Sequence, residues 1–385
     1  MPPVQAPERE TTKKRRGRLT LSVILAAIPA AVLLLYYIFR SNEAVMNAVS
    51  RNFSTPVRNF AAMITSVPPL RYISAAELLC AAAILWLVLY AVRIVISLIR
   101  DSRKLAGLGR RLAVIAIAAL YVWSGFSVLW DAEYYSAGFS ERSGLYSSGA
   151  SMADLTAVTR RFADEANLYA AEVPRDADGH FAASRGEIFA LSTGLYNGIS
   201  QEFPFLAGTV YPPKSLMISK IMSYTGFTGF YFAFTGESNI NTDAPLCLMP
   251  ATIAHEFAHQ HGISYEAEAN FTGIAACVTS GIPIYEYSGW LMGLIYLSNA
   301  LYDADRGAYN DIMGGLNDCV LRDLRDNSEY WTKMQTSSAA AAAVNTVYDS
   351  YLKSNGQSLG IKSYGACVDL LVAWSIPMAE HNRLG

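Results

Sequence analysis

Three stretches of about 20 apolar residues, Leu19 to Phe39, Ala75 to Ile99 and Leu112 to Trp130, constrain this chain more than any other feature. Each has the length a helix needs to cross a hydrocarbon core. They all lie in the first third of the 385 residues, and the charge divides at the same place. Residues 1–130 hold 16 Lys+Arg against 5 Asp+Glu, whereas residues 131–385 hold 14 against 27, so the parts carry +11 and −13. A basic, apolar part followed by an acidic one predicts a membrane anchor over 1–130 and a folded domain over 131–385. With 52% hydrophobic and 16% charged residues the chain is too apolar to be disordered.

Orientation follows from the short basic flanks. Lys13, Lys14, Arg15, Arg16 and Arg18 precede the first segment, and Arg100, Arg103, Lys104, Arg110 and Arg111 crowd the connection between the second and third. Both flanks are expected in the cytoplasm, which places residues 131–385 outside after three crossings of the cell membrane. Four Arg against one Glu between Arg40 and Ser74 run against this rule, over a longer and less densely charged stretch. The first run is too long for the apolar part of a cleaved signal peptide and reads as a retained anchor. Glu77 and Arg93 sit toward opposite ends of the second segment, where long side chains reach the interface. Ile282 to Leu301 is nearly uncharged as well, but Pro283, Glu286 and Asn299 make it a buried helix rather than a fourth crossing.

Of the five cysteines, Cys80 falls in an apolar segment, while Cys247, Cys277, Cys319 and Cys367 are open to reading as disulfides or as buried thiols. Helical spacing runs through 151–203 with a loop from Pro174 to Gly179, and Phe227 to Phe234 reads as a short strand. The paired charges from Leu321 to Glu329 read as a solvated helix face.

From Ala251 the pattern turns helical and contains His255, Glu256, Phe257, Ala258 and His259, the HExxH arrangement. Imidazoles at i and i+4 lie about 40° apart around a helix, so both can bind one Zn²⁺, and a Glu at i+1 stands beside the open coordination position. Three of the five histidines fall between His255 and His261, a clustering that favours a site over chance. Gly262 stops the helix and turns the chain back, so that Glu266, Glu268 and Asn270 begin a second helix nearby. Glu266 is the expected third ligand and Glu268 its competitor. The two lie about 200° apart on a helix and do not bind one metal together. Asn270 is expected to orient a ligand, and His261 to point away from the metal.

These residues specify hydrolysis: a zinc with three protein ligands, and Glu256 as general base toward a peptide bond. The strand from Gly229 to Phe234 reads either as a core strand or as an edge that pairs with an extended peptide. Tyr224, Tyr231 and Tyr265 are candidate donors to a developing oxyanion. The rival reading is a non-catalytic membrane scaffold or binding protein of the same fold, for which a carboxylate at 256 has no use.

The stretches Ser223-Tyr224-Thr225-Gly226, Phe234-Thr235-Gly236-Glu237-Ser238-Asn239, HEFAHQHG and EAEANF, with weaker matches at Tyr134-Tyr135, Phe139 to Leu145, Tyr351 to Gln357 and Ser363-Tyr364-Gly365, resemble a known family. It is the group of bacterial membrane proteins called domain-of-unknown-function family 3810, which look like zincin-type metallopeptidases. The resemblance implies His255 and His259 as ligands, Glu256 as base, and both Glu266 and Glu268 as motif members. The expected fold is thus mainly α, with three N-terminal transmembrane helices (about 19–39, 75–99 and 112–130) and an extracytoplasmic α+β zincin-like domain with a small sheet. Its expected partners are the lipid bilayer, Zn²⁺ and a peptide or protein substrate, with no nucleic acid.

Overall fold

A computed structural model of the chain describes residues 8–100, 107–146, 151–335, 339–355 and 364–376. Arg103, Lys104, Gly356, Gln357 and Ser363, named above, lie outside these ranges. The apolar runs form helices α1 (Glu8–Phe39), α4 (Ala75–Arg100) and α5 (Leu108–Leu129). All three are long and apolar enough to cross a membrane, and their outward faces are largely uncovered by protein. Between α1 and α4 the chain forms α2 (Glu43–Val49), one π-helical turn, and α3 (Thr55–Thr65).

Beyond α5 come α6 (Phe139–Ser143), α7 (Met152–Tyr169), α8 (Arg185–Leu191), α9 (Ile199–Glu202) and α10 (Ser219–Thr225). The strands β1 (Lys214–Ser215), β2 (Gly229–Phe232) and β3 (Glu237–Ile240) form one sheet in the order β1-β3-β2. β1 runs parallel and β2 antiparallel to the central β3. Then follow α11 (Met249–Gln260), α12 (Glu266–Val278), α13 (Pro283–Ala304), α14 (Arg306–Gly314), α15 (Asp318–Gln335), α16 (Ala339–Ser354) and α17 (Tyr364–Ser375). The stretch read as a buried helix is α13: Tyr285, Tyr287, Leu291, Leu294 and Leu297 are fully covered, and it packs between α7 and α12 at the centre of the apolar core. All five cysteines are free thiols, with Cys247, Cys277 and Cys367 buried.

Residues beyond α5 meet the ends of the long helices. At the C-terminal end of α1, Tyr36 packs on Tyr135 and Arg40 donates to the Tyr135 hydroxyl. At the start of α4, the amides of Ala75 and Ala76 donate to the carboxylate of Glu237 on β3, where a helix N-terminus favours negative charge. In return Glu77 accepts from the amides of Met217 and Ile218 at 2.9 and 3.0 Å. Glu77 is therefore not reaching for solvent, as its position in an apolar segment suggests. It is buried because it joins α4 to the chain entering α10.

The connection between α1 and α4 belongs to the same junction. Arg58 on α3, 1% exposed, pairs with Glu133 just beyond α5 at 2.5 Å and also donates to the Leu129 carbonyl. Lys214, equally buried, donates to the carbonyls of Thr65, Leu70 and Arg71 and faces Glu237 at 3.7 Å. The arginine excess of this segment is thus partly structural, since Arg58 is neutralised inside the fold. A second departure concerns the charged stretch of α15, where Asp323 is buried, pairs with Arg175 at 2.7 Å and accepts from the Tyr287 hydroxyl. Replacing Arg58 by Met leaves Glu133 charged and buried, a loss of about 3–5 kcal/mol. The expected result is a clearly lowered thermal unfolding midpoint in detergent, partly restored by adding Glu133→Gln; an unchanged midpoint would contradict the role given to the pair.

Candidate metal centre

Helix α11 carries the HExxH residues and is buried along nearly its whole length. Two contacts hold it against the sheet: Ser238 on β3 donates to the Glu256 carbonyl, and Gln260 donates to the Ser238 hydroxyl and to the Tyr211 carbonyl. The helix stops at Gly262, whose φ of 79° suits a residue without a side chain. There the Ile263 amide bonds back to the Ala258 carbonyl, and α12 begins four residues later with Glu266.

The approach of α12 to α11 depends on a missing side chain. A Cβ on Gly273 would come within 2.7 Å of the His255 amide nitrogen and 2.9 Å of its Cα. Gly273 lies seven residues, about two helical turns, beyond Glu266 and so on the same face. The close contact at Gly273 consequently brings Glu266 to the histidines. Its carboxylate lies 3.3 Å from His255 Nε2 and 3.8 Å from His259 Nε2, and one ligand atom from each of the three residues falls within 4.8 Å of the others. Ligand atoms about 2.0–2.1 Å from a tetrahedral zinc stand about 3.3 Å apart, so small side-chain adjustments suffice.

Glu268 is not in this cluster. Its carboxylate accepts the amides of Phe139 and Ser140 at 2.7 and 3.0 Å, at the start of α6. His261 lies outside the cluster, as expected: it is half-buried, its ring packs on Tyr196 at 4.7 Å, and its Nε2 is buried without a hydrogen-bond partner.

Electrostatics act differently on the three residues: burial works to lower His255, but its hydrogen bond to Glu266 and the charges of Glu266 and Glu256 raise it. Burial lowers His259 to about 4, keeping the ring neutral. Its Nδ1 lies 2.6 Å from the Ile263 carbonyl, which can only accept, so Nδ1 carries the proton and Nε2 offers its lone pair toward Glu266. Burial works to raise Glu266, but the hydrogen bond from His255 and the facing imidazoles hold it at about 2. The neighbouring Glu256, 3% exposed, is pushed up to about 8 by burial, with His255 opposing and Glu266 reinforcing the shift. Its Oε2 is buried with no hydrogen-bond partner, an arrangement that costs energy unless a ligand or ion repays it. A divalent cation beside it would draw its pKa back down.

These side chains open into a cleft of about 580 Å³. β2 forms one wall, and a Cβ on Gly229 would come within 2.7 Å of Glu256 Oε1, so that wall reaches the carboxylate only because residue 229 is glycine. Tyr231 lines the cleft with its ring 6.5 Å from that of His259. Tyr224 is exposed on α10 outside the lining, and the Tyr265 hydroxyl is engaged with the Tyr134 carbonyl. A residue missed in the sequence, Tyr348 on α16, donates to Glu266 at 2.7 Å and lines the same cleft. Its helix lies more than 60 residues further along the chain, and no spacing rule links it to HExxH. Asn270 also lines the cleft, one turn beyond Glu266.

Fold and cluster define a mainly helical protein with three helices of membrane-crossing length and a His-His-Glu group, His259 buried and the others half-buried, on two tightly packed helices. The chain belongs to the family described as "Protein of unknown function (DUF3810)", whose model matches residues 49–372. No curated protein and no solved structure matches it.

Gly273→Val forces backbone against side chain at the α11–α12 contact, where neither helix has a flexible end to yield. Overpacking of this kind costs about 1–3 kcal/mol. Thermal unfolding should show the loss, and an unchanged midpoint would mean that the two helices are not held at this distance.

Proposed function

We propose that this protein is a membrane-anchored, zinc-dependent peptidase of zincin-like fold, with the metal held by His255, His259 and Glu266 and with Glu256 as general base. The observation that carries the reading is Glu256 itself. A carboxylate with an unpartnered buried oxygen, beside two imidazoles and a second carboxylate aimed at one point, has no structural purpose on this helix. A scaffold would be more stable with an apolar side chain there.

The helices α1, α4 and α5 cross the cell membrane in this proposal, with the N-terminus in the cytoplasm and residues 131–385 outside. In support, Arg40 after α1, Ala75 and Ala76 at the start of α4, and Trp130 after α5 all contact residues of 131–385, as three crossings require. Zinc bound here supplies Lewis acidity toward a peptide carbonyl and a lowered pKa for water. His259 is held in one tautomer by Ile263, and Tyr348 holds Glu266 from the opposite side. Glu256 takes the proton of the attacking water on its carboxylate and delivers it to the leaving amine. β2 is an edge strand, since only β3 pairs with it among the described residues, and it offers its free backbone groups to an extended substrate. Of the three tyrosines Tyr231 lines the cleft, with its hydroxyl hydrogen-bonded to Arg58, and in this proposal it is the donor nearest the oxyanion.

Elemental analysis of the detergent-purified protein should find about one zinc per chain, as a single three-ligand site requires. His259→Ala and Glu266→Ala should lose it, whereas Glu268→Ala and Glu256→Gln should keep it. Glu256→Gln should lower peptide hydrolysis by about 10²–10⁴-fold. Wild-type protein free of zinc after reconstitution would overturn the reading, and zinc without Glu256-dependent hydrolysis would favour a scaffold.

A further inference from the structure

The cleft is built onto the end of a long apolar helix. Phe126, in the last turn of α5, and Trp130, just after it, line the same cleft as His255, Glu256 and His259. One turn before Phe126, the exposed Trp123 packs edge-on against Tyr37 of α1, an aromatic pair of the kind that marks a membrane–water boundary. On the other flank, the chain bonded to Glu77 at the start of α4 continues into α10, and it exposes Met217 by 73% and Ile221 by 60% with Ile218 and Tyr224 beside them. This apolar surface is tied to the start of α4 through Glu77, and after Thr225 the chain passes through Gly226 and Phe227 straight into the cleft wall.

β2 and the turn that follows it connect the two ends. At Gly229 the strand touches Glu256; five residues on, in the turn, Phe234 stacks on Phe126 and packs against Gly125 of α5. Even fully extended, five residues span at most about 17 Å. A chain paired with the free edge of β2 at the metal therefore arrives at the lipid surface within that distance.

From this geometry we infer that the cleft takes a polypeptide anchored in the same membrane and cuts it within about ten residues of the bilayer surface. The inference rests on the peptidase reading for the cut, but not for the docking.

The full-length, zinc-loaded protein in phosphatidylethanolamine–phosphatidylglycerol vesicles would be given a random-sequence peptide library joined to an apolar helix of about 20 residues, and the same library without that helix. The expected result is Glu256-dependent release at least about tenfold faster from the anchored library. Cuts should cluster within about ten residues of the anchor and, when a Gly/Ser spacer is inserted, stay at that distance from the membrane, which local concentration alone does not produce. In parallel, the Glu256→Gln protein with Phe230→p-benzoylphenylalanine should photo-crosslink to the anchored library in preference to the free one. Equal cleavage of both libraries with scattered cuts, or equal crosslinking, overturns the inference and leaves the peptidase reading standing. Preferential crosslinking without any cleavage by wild type overturns the peptidase reading and supports the docking. Absence of both crosslinking and cleavage overturns both.

Discussion

Buried charges fix the residues beyond α5 onto the long apolar helices, and the placement of everything else depends on them. Arg58 and Glu133 pair beneath Trp130, while Lys214 draws together the carbonyls before α4, and Glu237 receives the first amides of that helix. Charges taken out of water contribute little net stability against an apolar alternative, but they are costly to mispair. They therefore select one docking geometry. Trp130 transmits that choice to the metal centre, because its ring meets Arg58 on one side and His259, edge-on at 5.4 Å, on the other.

Within that frame the centre is made by close approach rather than by any strongly attractive contact. Gly273 allows α12 to lie on α11, and Gly229 allows β2 to lie on Glu256. Both glycines exchange a side chain's packing for a backbone distance that no other residue permits. The result is a narrow space in which a neutral His259, an ionised Glu266 and a Glu256 with a raised pKa line one cleft.

Much of this was legible in the sequence because the signals were local. The three long helices follow from apolar length, and the triad follows from helical phase: i, i+4, then a glycine turn and a carboxylate. Helical angle alone separated Glu266 from Glu268 as alternatives, and packing against α6 shows where the second one goes. What stayed hidden is what depends on partners far along the chain. β3 is a completely buried run of Glu, Ser, Asn and Ile, which no hydrophobic alternation reveals because its polar groups are satisfied by α4, α11 and Ser74 just before α4. Glu77 and Asp323 looked solvated, since a carboxylate's burial is decided by the donors it meets. Tyr348 reaches Glu266 from a helix whose own sequence says only that it is helical.

The Arg58–Glu133 pair also sets an order of assembly. One partner precedes the second long helix and the other follows the third, so the bond closes only after the ribosome has delivered all three segments and they stand side by side. Until then the chain beyond α5 carries Glu133 without its partner where Trp130 and α11 are to meet. The shape of the cleft is thereby tied to the assembly of the long helices, and a chain in which they do not yet stand together lacks it.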